Sequence, residues 1–231
     1  MSAMTIAGIG YGLIGIGKSQ FMAAARGGLD SFFTGMARAA PIETDAQAID
    51  RLKDDLDKEC DMTTADPAWL KAARAKLGTR EAPGPANNPT IMGWAKRLGT
   101  KALGIAYNAD SVPWCGVFVA ACMQEVGLPT APIAVRASAW AKYGDPLAFH
   151  RPAPGAILVF QRPGGGHVGF YVGEDDTAYH VLGGNQSDNV TMARIEKTRC
   201  VAARWPTGVP FAGKPVRMAA RAGVPLSRNE A

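Results

Sequence analysis

The sequence predicts an α+β domain in which helices come first and an antiparallel β-meander follows. Two textures carry this reading. From about residue 44 to 127, apolar residues recur at three- and four-residue steps between cap and stop residues. From 156 to 205 the chain breaks into short β-branched or aromatic runs separated by Gly, Asp or Asn turns. The textures follow one another rather than alternating, which favours an antiparallel sheet over a doubly wound parallel one. With 231 residues, 47% hydrophobic and 19% charged, there is material for one well-buried core plus an appendage. We divide the chain into an N-terminal segment (1–62), a main domain (63–206) and a Pro-rich basic tail (207–231).

The opening run from Met4 to Gly17 is uncharged and apolar, with five glycines between residues 8 and 17. It is shorter than the roughly 20 residues that span a bilayer. No Lys or Arg precedes it until Lys18, so it makes a poor secretory signal. Gly12, Gly17, Lys18 and Ser19 satisfy a phosphate-loop pattern, but eleven residues before Gly12 and no strand–helix alternation after it deny the match its context. Thr44 and Gln47 form a capping-box pattern ahead of an amphipathic helix with Ile49, Leu52, Leu56 and Cys60 on its stripe. That narrow stripe needs the main domain or another subunit to lean on. Asp66 as cap, Pro67 at the first helical position, Trp69, Leu70 and Leu77 on the apolar side and Gly78 as stop delimit a second helix. Pro83, Gly84, Pro85 and Pro89 lead by turns into a short helix, TIMGWAKRLG. The next, from Cys115 to Val126, is apolar or small at nearly every position, as in a helix buried on all sides. Asp110 or Ser111 can cap it, with Pro113 near its start and Gly127 and Pro129 ending it. Strands are expected over 156–160, 167–172, 177–182, 189–195 and 201–205, and the tail as a surface wrap or loose end.

A net charge of +5 favours an anionic partner, yet no basic helix or aromatic-basic strand motif supports nucleic-acid binding. The four cysteines, Cys60, Cys115, Cys122 and Cys200, are too scattered for a disulfide framework and wrongly spaced for zinc, so no metal or other cofactor is expected.

Cys115 stands apart because it opens a helix. Unpaired amides and partial positive charge there stabilise a thiolate, and the same amides can hold the oxyanion formed when that thiolate attacks a carbonyl. Cys122, two turns deeper, and Cys200, on a late strand, read as packing. A base must come from three histidines. His150 lies in a proline-rich loop. His167 follows three glycines and opens a strand, which leaves its ring at the lip of the sheet. In a regular hairpin turning at residues 174–177, His167 faces Gly184, with Asn185 beside it as the orienting group. His180 projects to the same nominal face and is the alternative.

Taken together, VPWCGVFVAACMQEVGLP, RASAWAKYG, PGAILVF, GGGHVGFYVGEDD, HVLGGNQSDNV and RWP resemble the cysteine, histidine-dependent amidohydrolase/peptidases of bacteria and phages, the CHAP and NlpC-type cell-wall hydrolases. The resemblance extends from about Pro67 to Pro206 and implies a papain-like core. It also implies cleavage of an amide in the peptide part of peptidoglycan through a thioester. Cys115 matches the nucleophile and His167 the base. Asn185 matches the third residue of CHAP-like members, and His180 a second histidine of NlpC-type ones. Trp114, Ser138 and Trp140 match positions bordering the substrate groove, with core packing the alternative for Trp140. The family's Pro-Gly-Asp reads Pro154-Gly155-Ala156, which removes a turn-stabilising carboxylate. Action at the wall is expected, with delivery by phage lysis, a secretion system or a virion. Residues 1–60 are open to association with a virion, a secretion machine or a membrane. A non-catalytic wall-binding or virion module, or a Cys-His acyl or amide transferase, stands as the alternative.

Overall fold

The structure, a computed structural model, describes residues 66–218 and 226–227. The chain divides into two units, residues 1–51 and 52–231, and the described residues fall in the second. The phosphate-loop match and the helix expected over Thr44 to Cys60 lie outside them.

Among the described residues, three α-helices precede the sheet. Helix α1 (Ala68–Arg74) starts after Pro67 and buries Trp69, Leu70 and Ala73. Asp66 does not cap it, because its carboxylate pairs with Arg74 instead. The helix also stops short of Leu77, which is 47% exposed in the turn leading to left-handed Gly78. Helix α2 (Pro89–Leu103) is capped by the Asn88 side chain, which accepts from the Thr90 amide at 2.7 Å. It runs past the expected end through a kink at Gly99, whose φ of 74° a side chain would resist. Helix α3 (Cys115–Glu125) is buried from Cys115 to Met123, as its all-apolar sequence requires. Neither Asp110 nor Ser111 caps it. Asp110 is buried further upstream, where its carboxylate accepts from the amides of Ala82 (2.9 Å) and Asn88 (2.7 Å). With no side-chain cap, the first amides of α3 are left to other acceptors.

Six antiparallel strands form one sheet: β1 (Asp145–Pro146), β2 (Ile157–Arg162), β3 (Gly165–Glu174), β4 (Ala178–Gly183), β5 (Thr191–Glu196) and β6 (Cys200–Trp205), ordered β1-β6-β2-β3-β4-β5. The meander therefore runs only from β2 to β5. Strand β6 returns to pair with β2 and carries the short β1, which sequence pattern alone does not reveal. Burial explains the return: Ile157 to Phe160 are all buried, so β2 needs a neighbour on each side. A 3₁₀ segment over Ala137–Lys142 packs on the sheet, with Trp140 fully buried. Aromatic contacts tie helices to sheet, from Trp94 to Phe118 (6.1 Å between centroids) and from Phe118 to Phe170 on β3 (6.1 Å). Such pairs contribute about 0.5–1.5 kcal/mol each beyond the area they bury.

The corner at Pro154-Gly155-Ala156 closes without a carboxylate. The Gly155 amide donates to Tyr171 O, the Trp69 indole donates to Gly155 O, and Ala156 is fully buried. After β6 the described residues up to Met218 lie mostly on the surface, with Phe211 edge-on to Trp205 and the amides of Glu174 and Met218 bonded across to Val216 and Glu174 carbonyls. Among the described residues, no helix is long and apolar enough to cross a membrane.

Candidate active site

The start of α3 is fixed by a glycine. A Cβ on Gly116 would lie 2.1 Å from Ala134 O and 2.7 Å from Val135 O, so this backbone crosses the helix start at a distance only glycine allows. Cys115 thereby starts the helix beside the Ala134–Val135 backbone. Its thiol is 5% exposed, and burial pushes it up from its ordinary value. The amides of Val168 and Gly116, the charge of Arg162 and its own amide act in the opposite direction, favouring the thiolate. Burial is the larger influence, and the donors around the sulfur are those that would hold it as an anion. Val168 follows His167 directly, which places the sulfur at the β3 backbone one residue from the imidazole.

His167 pairs with Phe160 across β2 and β3, and its ring is 1% exposed. Its Nε2 lies 3.1 Å from Gln186 Oε1. The direction of that bond follows from the rest of the amide: Gln186 Nε2 donates to Thr191 O at 2.5 Å, so Oε1 is the end facing the ring. An oxygen there can only accept. His167 Nε2 therefore donates the proton in this contact. Gly183 makes room for this arrangement, since a Cβ there would come within 2.9 Å of His167 Nε2 and 2.7 Å of Gln186 Oε1.

At Nε2 the structure places a residue other than the two expected there. Neither Asn185 nor His180 provides the side chain seen to fix Nε2; Gln186 does. Regular pairing stops at Gly183, and Asn185 takes φ of 58°, followed by Ser187 at 53° and Asp188 at 59°. This left-handed turn ends the strand alternation and swings the next side chain, Gln186, under the His167 ring. His180 is displaced differently. A bulge between Tyr171 and Gly173 moves it opposite Gly173, where its Nε2 lies 2.8 Å from Asp175 Oδ2. Asp175 also accepts from Arg194, which, ahead of His180, holds its carboxyl well below the usual carboxylate range.

A cavity of about 560 Å³ opens beside the sulfur, lined by Pro113, Cys115, Arg136, Ser138, Phe160 and Arg162 among others. Ser138 is in its wall, as expected. Trp114 and Trp140 are not: both are fully buried, with Trp114 Nε1 donating to Glu81 (3.2 Å) and Trp140 Nε1 to Ala134 O (2.9 Å). Each supports the wall from behind. His150 is exposed, and Cys122 is buried with its thiol pushed up to about 12 by desolvation. Among the described residues, no group of three or more His, Cys, Asp or Glu gathers as a metal ion would require.

The structure is thus an α+β domain with a thiol at the buried start of a helix and a histidine on a strand of the sheet. Residues 107–185 match the family model of the CHAP domain, a span that holds Cys115 and His167 and ends one residue before Gln186. CHAP domains are generally hydrolases, and the match supports a peptidoglycan-related hydrolase at that level. The α+β architecture agrees with it. No match is found among the curated proteins or among the solved structures.

Proposed function

We propose that this protein is a peptidoglycan hydrolase, an amidase or endopeptidase that cleaves an amide of the wall peptide through a thioester on Cys115. The observation that supports the reading is a cavity-lining Cys115 at the start of α3, its thiolate favoured by the Val168 and Gly116 amides, with His167, the residue before Val168, held at Nε2 by Gln186. In the acylation step His167 Nδ1 accepts the thiol proton as the sulfur attacks the scissile carbonyl. The carbonyl oxygen becomes an oxyanion at the start of α3, where the Cys115 amide can donate to it. Collapse breaks the C–N bond, and His167 returns its proton to the departing amine. Water, deprotonated by the same imidazole, then attacks the thioester and releases the acid and the free thiol. Gln186 acts as the orienting group throughout, in the role expected of Asn185. The protein would act at the wall, delivered by phage lysis, a secretion system or a virion, with residues 1–60 as the delivery segment.

The test is clearing of purified wall by the wild type beside Cys115→Ala and Cys122→Ala. Loss in the first alone supports the assignment. Equal loss in both, or clearing by Cys115→Ala, overturns it. Mass spectrometry of the released muropeptides names the bond.

A further inference from the structure

Charge around the cavity is segregated. Among the described residues, its lining carries two guanidinium groups, Arg136 and Arg162, and no carboxylate. Arg162 closes β2 opposite Gly165, and its charge is felt at the Cys115 sulfur. Arg136 precedes the 3₁₀ segment, is exposed, and makes no ion pair with a described residue. Between them the wall is Gly164, Gly165 and Gly166, which contribute backbone and no side chains, so a ligand can approach closely. The other flank of the α3 start has the opposite sign. There Glu81 accepts from the Trp114 indole, with the charges of Asp188 and Asp110 close enough to act on it. An anionic group entering the cavity is therefore attracted to one side of the thiol and repelled from the other.

We propose that this cavity selects wall peptides bearing a free carboxylate next to the scissile amide, with Arg136 and Arg162 as the groups that bind it. The proposal rests on the peptidoglycan reading and narrows it to a substrate class. A guanidinium offers a planar fork of donors that matches a carboxylate in two parallel bonds, and a carboxamide cannot reproduce that match because half of its polar end is itself a donor. Arg162, near the thiol, would also orient the peptide for attack. Arg136, at the rim, serves binding alone. Peptides whose carboxylate is amidated would then be poor ligands even where the scissile bond is unchanged.

Binding can be measured apart from chemistry. Cys115→Ala is titrated by calorimetry with a synthetic wall tetrapeptide in its free-acid form and with the same peptide carrying a carboxamide beside the scissile bond. The acid form is expected to bind at least about tenfold more tightly at low salt, in line with charge-assisted hydrogen bonding, and the gap should narrow as salt rises. Arg136→Gln and Arg162→Gln in the same background should each shrink the preference to within about threefold, while Arg136→Lys retains part of it. Since Arg136 is exposed, its replacement does not disturb the core. Equal binding of the two peptides, or a preference that survives both Gln substitutions, overturns the proposal. Wall clearing by the wild type separates the two readings: clearing without the preference sinks only the selectivity, and the preference without clearing sinks only the hydrolase.

Discussion

At His167 the identity of one neighbouring atom decides the chemistry. Because Gln186 presents its oxygen, Nε2 is the donor in this contact, and Nδ1 is the nitrogen to which the proposal assigns the base role. Replacing Gln186 by Leu keeps the bulk and removes that acceptor, so kcat should fall about tenfold to a hundredfold, within what general acid–base catalysis contributes. KM should change much less. Asn185 answers to a different constraint. Its φ of 58° suits Gly as well as Asn, so Asn185→Gly should leave the rate near that of wild type in the same wall-hydrolysis assay. Asn185→Val should instead cost about 1–2 kcal/mol of stability, read as a lower urea midpoint. A loss in Asn185→Gly as deep as in Gln186→Leu would mean that the orienting role is misassigned. The placement of Cys115 at a helix start and of His167 on a strand was legible in the sequence, since the helix punctuation and the three glycines are each local signals. Gln186 was not, because an extended hairpin was assumed where the run Gly183-Gly184-Asn185-Gln186-Ser187-Asp188 turns left-handed. The concentration of Gly, Asn and Asp there was the available warning.

Helix α3 shows how an element can be clear in outline and hidden in its attachments. Its apolar sequence announces burial, and the structure buries it from Cys115 to Met123. What the pattern does not show is how it is fixed at its first turn, where the carbonyls of Ala134 and Val135 press on Gly116. Gly116→Ala should force that backbone apart and destabilise the protein by about 1–3 kcal/mol, the usual range for overpacking. A urea midpoint equal to wild type would contradict this contact. Activity should fall further than stability, since the displaced element carries the sulfur. The caps illustrate the same limit in another way. Asp66 and Asp110 both have the right residue type near a helix start, yet each is taken by another partner, Arg74 at the far end of the same helix for one and two loop amides more than twenty residues away for the other. Pattern reading weighs neighbours along the chain and is blind to such competitors. Strand β6 was found for the same reason that its position was not: β-branched residues reveal a strand, but which edge it joins depends on what β2 leaves uncovered.

Across the whole molecule, titrating groups in the core set the limits of stability. Burial pushes Tyr143 and Tyr179 up to about 12 from an ordinary 10.0, and Cys122 and Cys200 up to about 12 from 9.0. Each stays protonated in the fold while the unfolded chain would lose its proton. Their contribution is complete below about pH 9 and is lost as pH rises towards 12, so the urea midpoint should drop between pH 9 and 11. Asp175 works from the acid side. Arg194 lowers its carboxyl, so its contribution is present above the ordinary value of 3.8 and disappears as pH falls below it. A flat midpoint from pH 7 to 11 would contradict the alkaline limb. The same balance bears on the active site, where a buried thiol awaits a base to take its proton. The central claim is that this thiol becomes acylated. The most direct measurement is acid quenching of the wild type during turnover of purified wall, followed by mass spectrometry of the proteolysed protein. An acyl adduct on the fragment carrying Cys115, absent from Cys115→Ala and left intact by Cys122→Ala, is the predicted result. Continued release of wall peptides by Cys115→Ala, with no adduct on that fragment in the wild type, would contradict it.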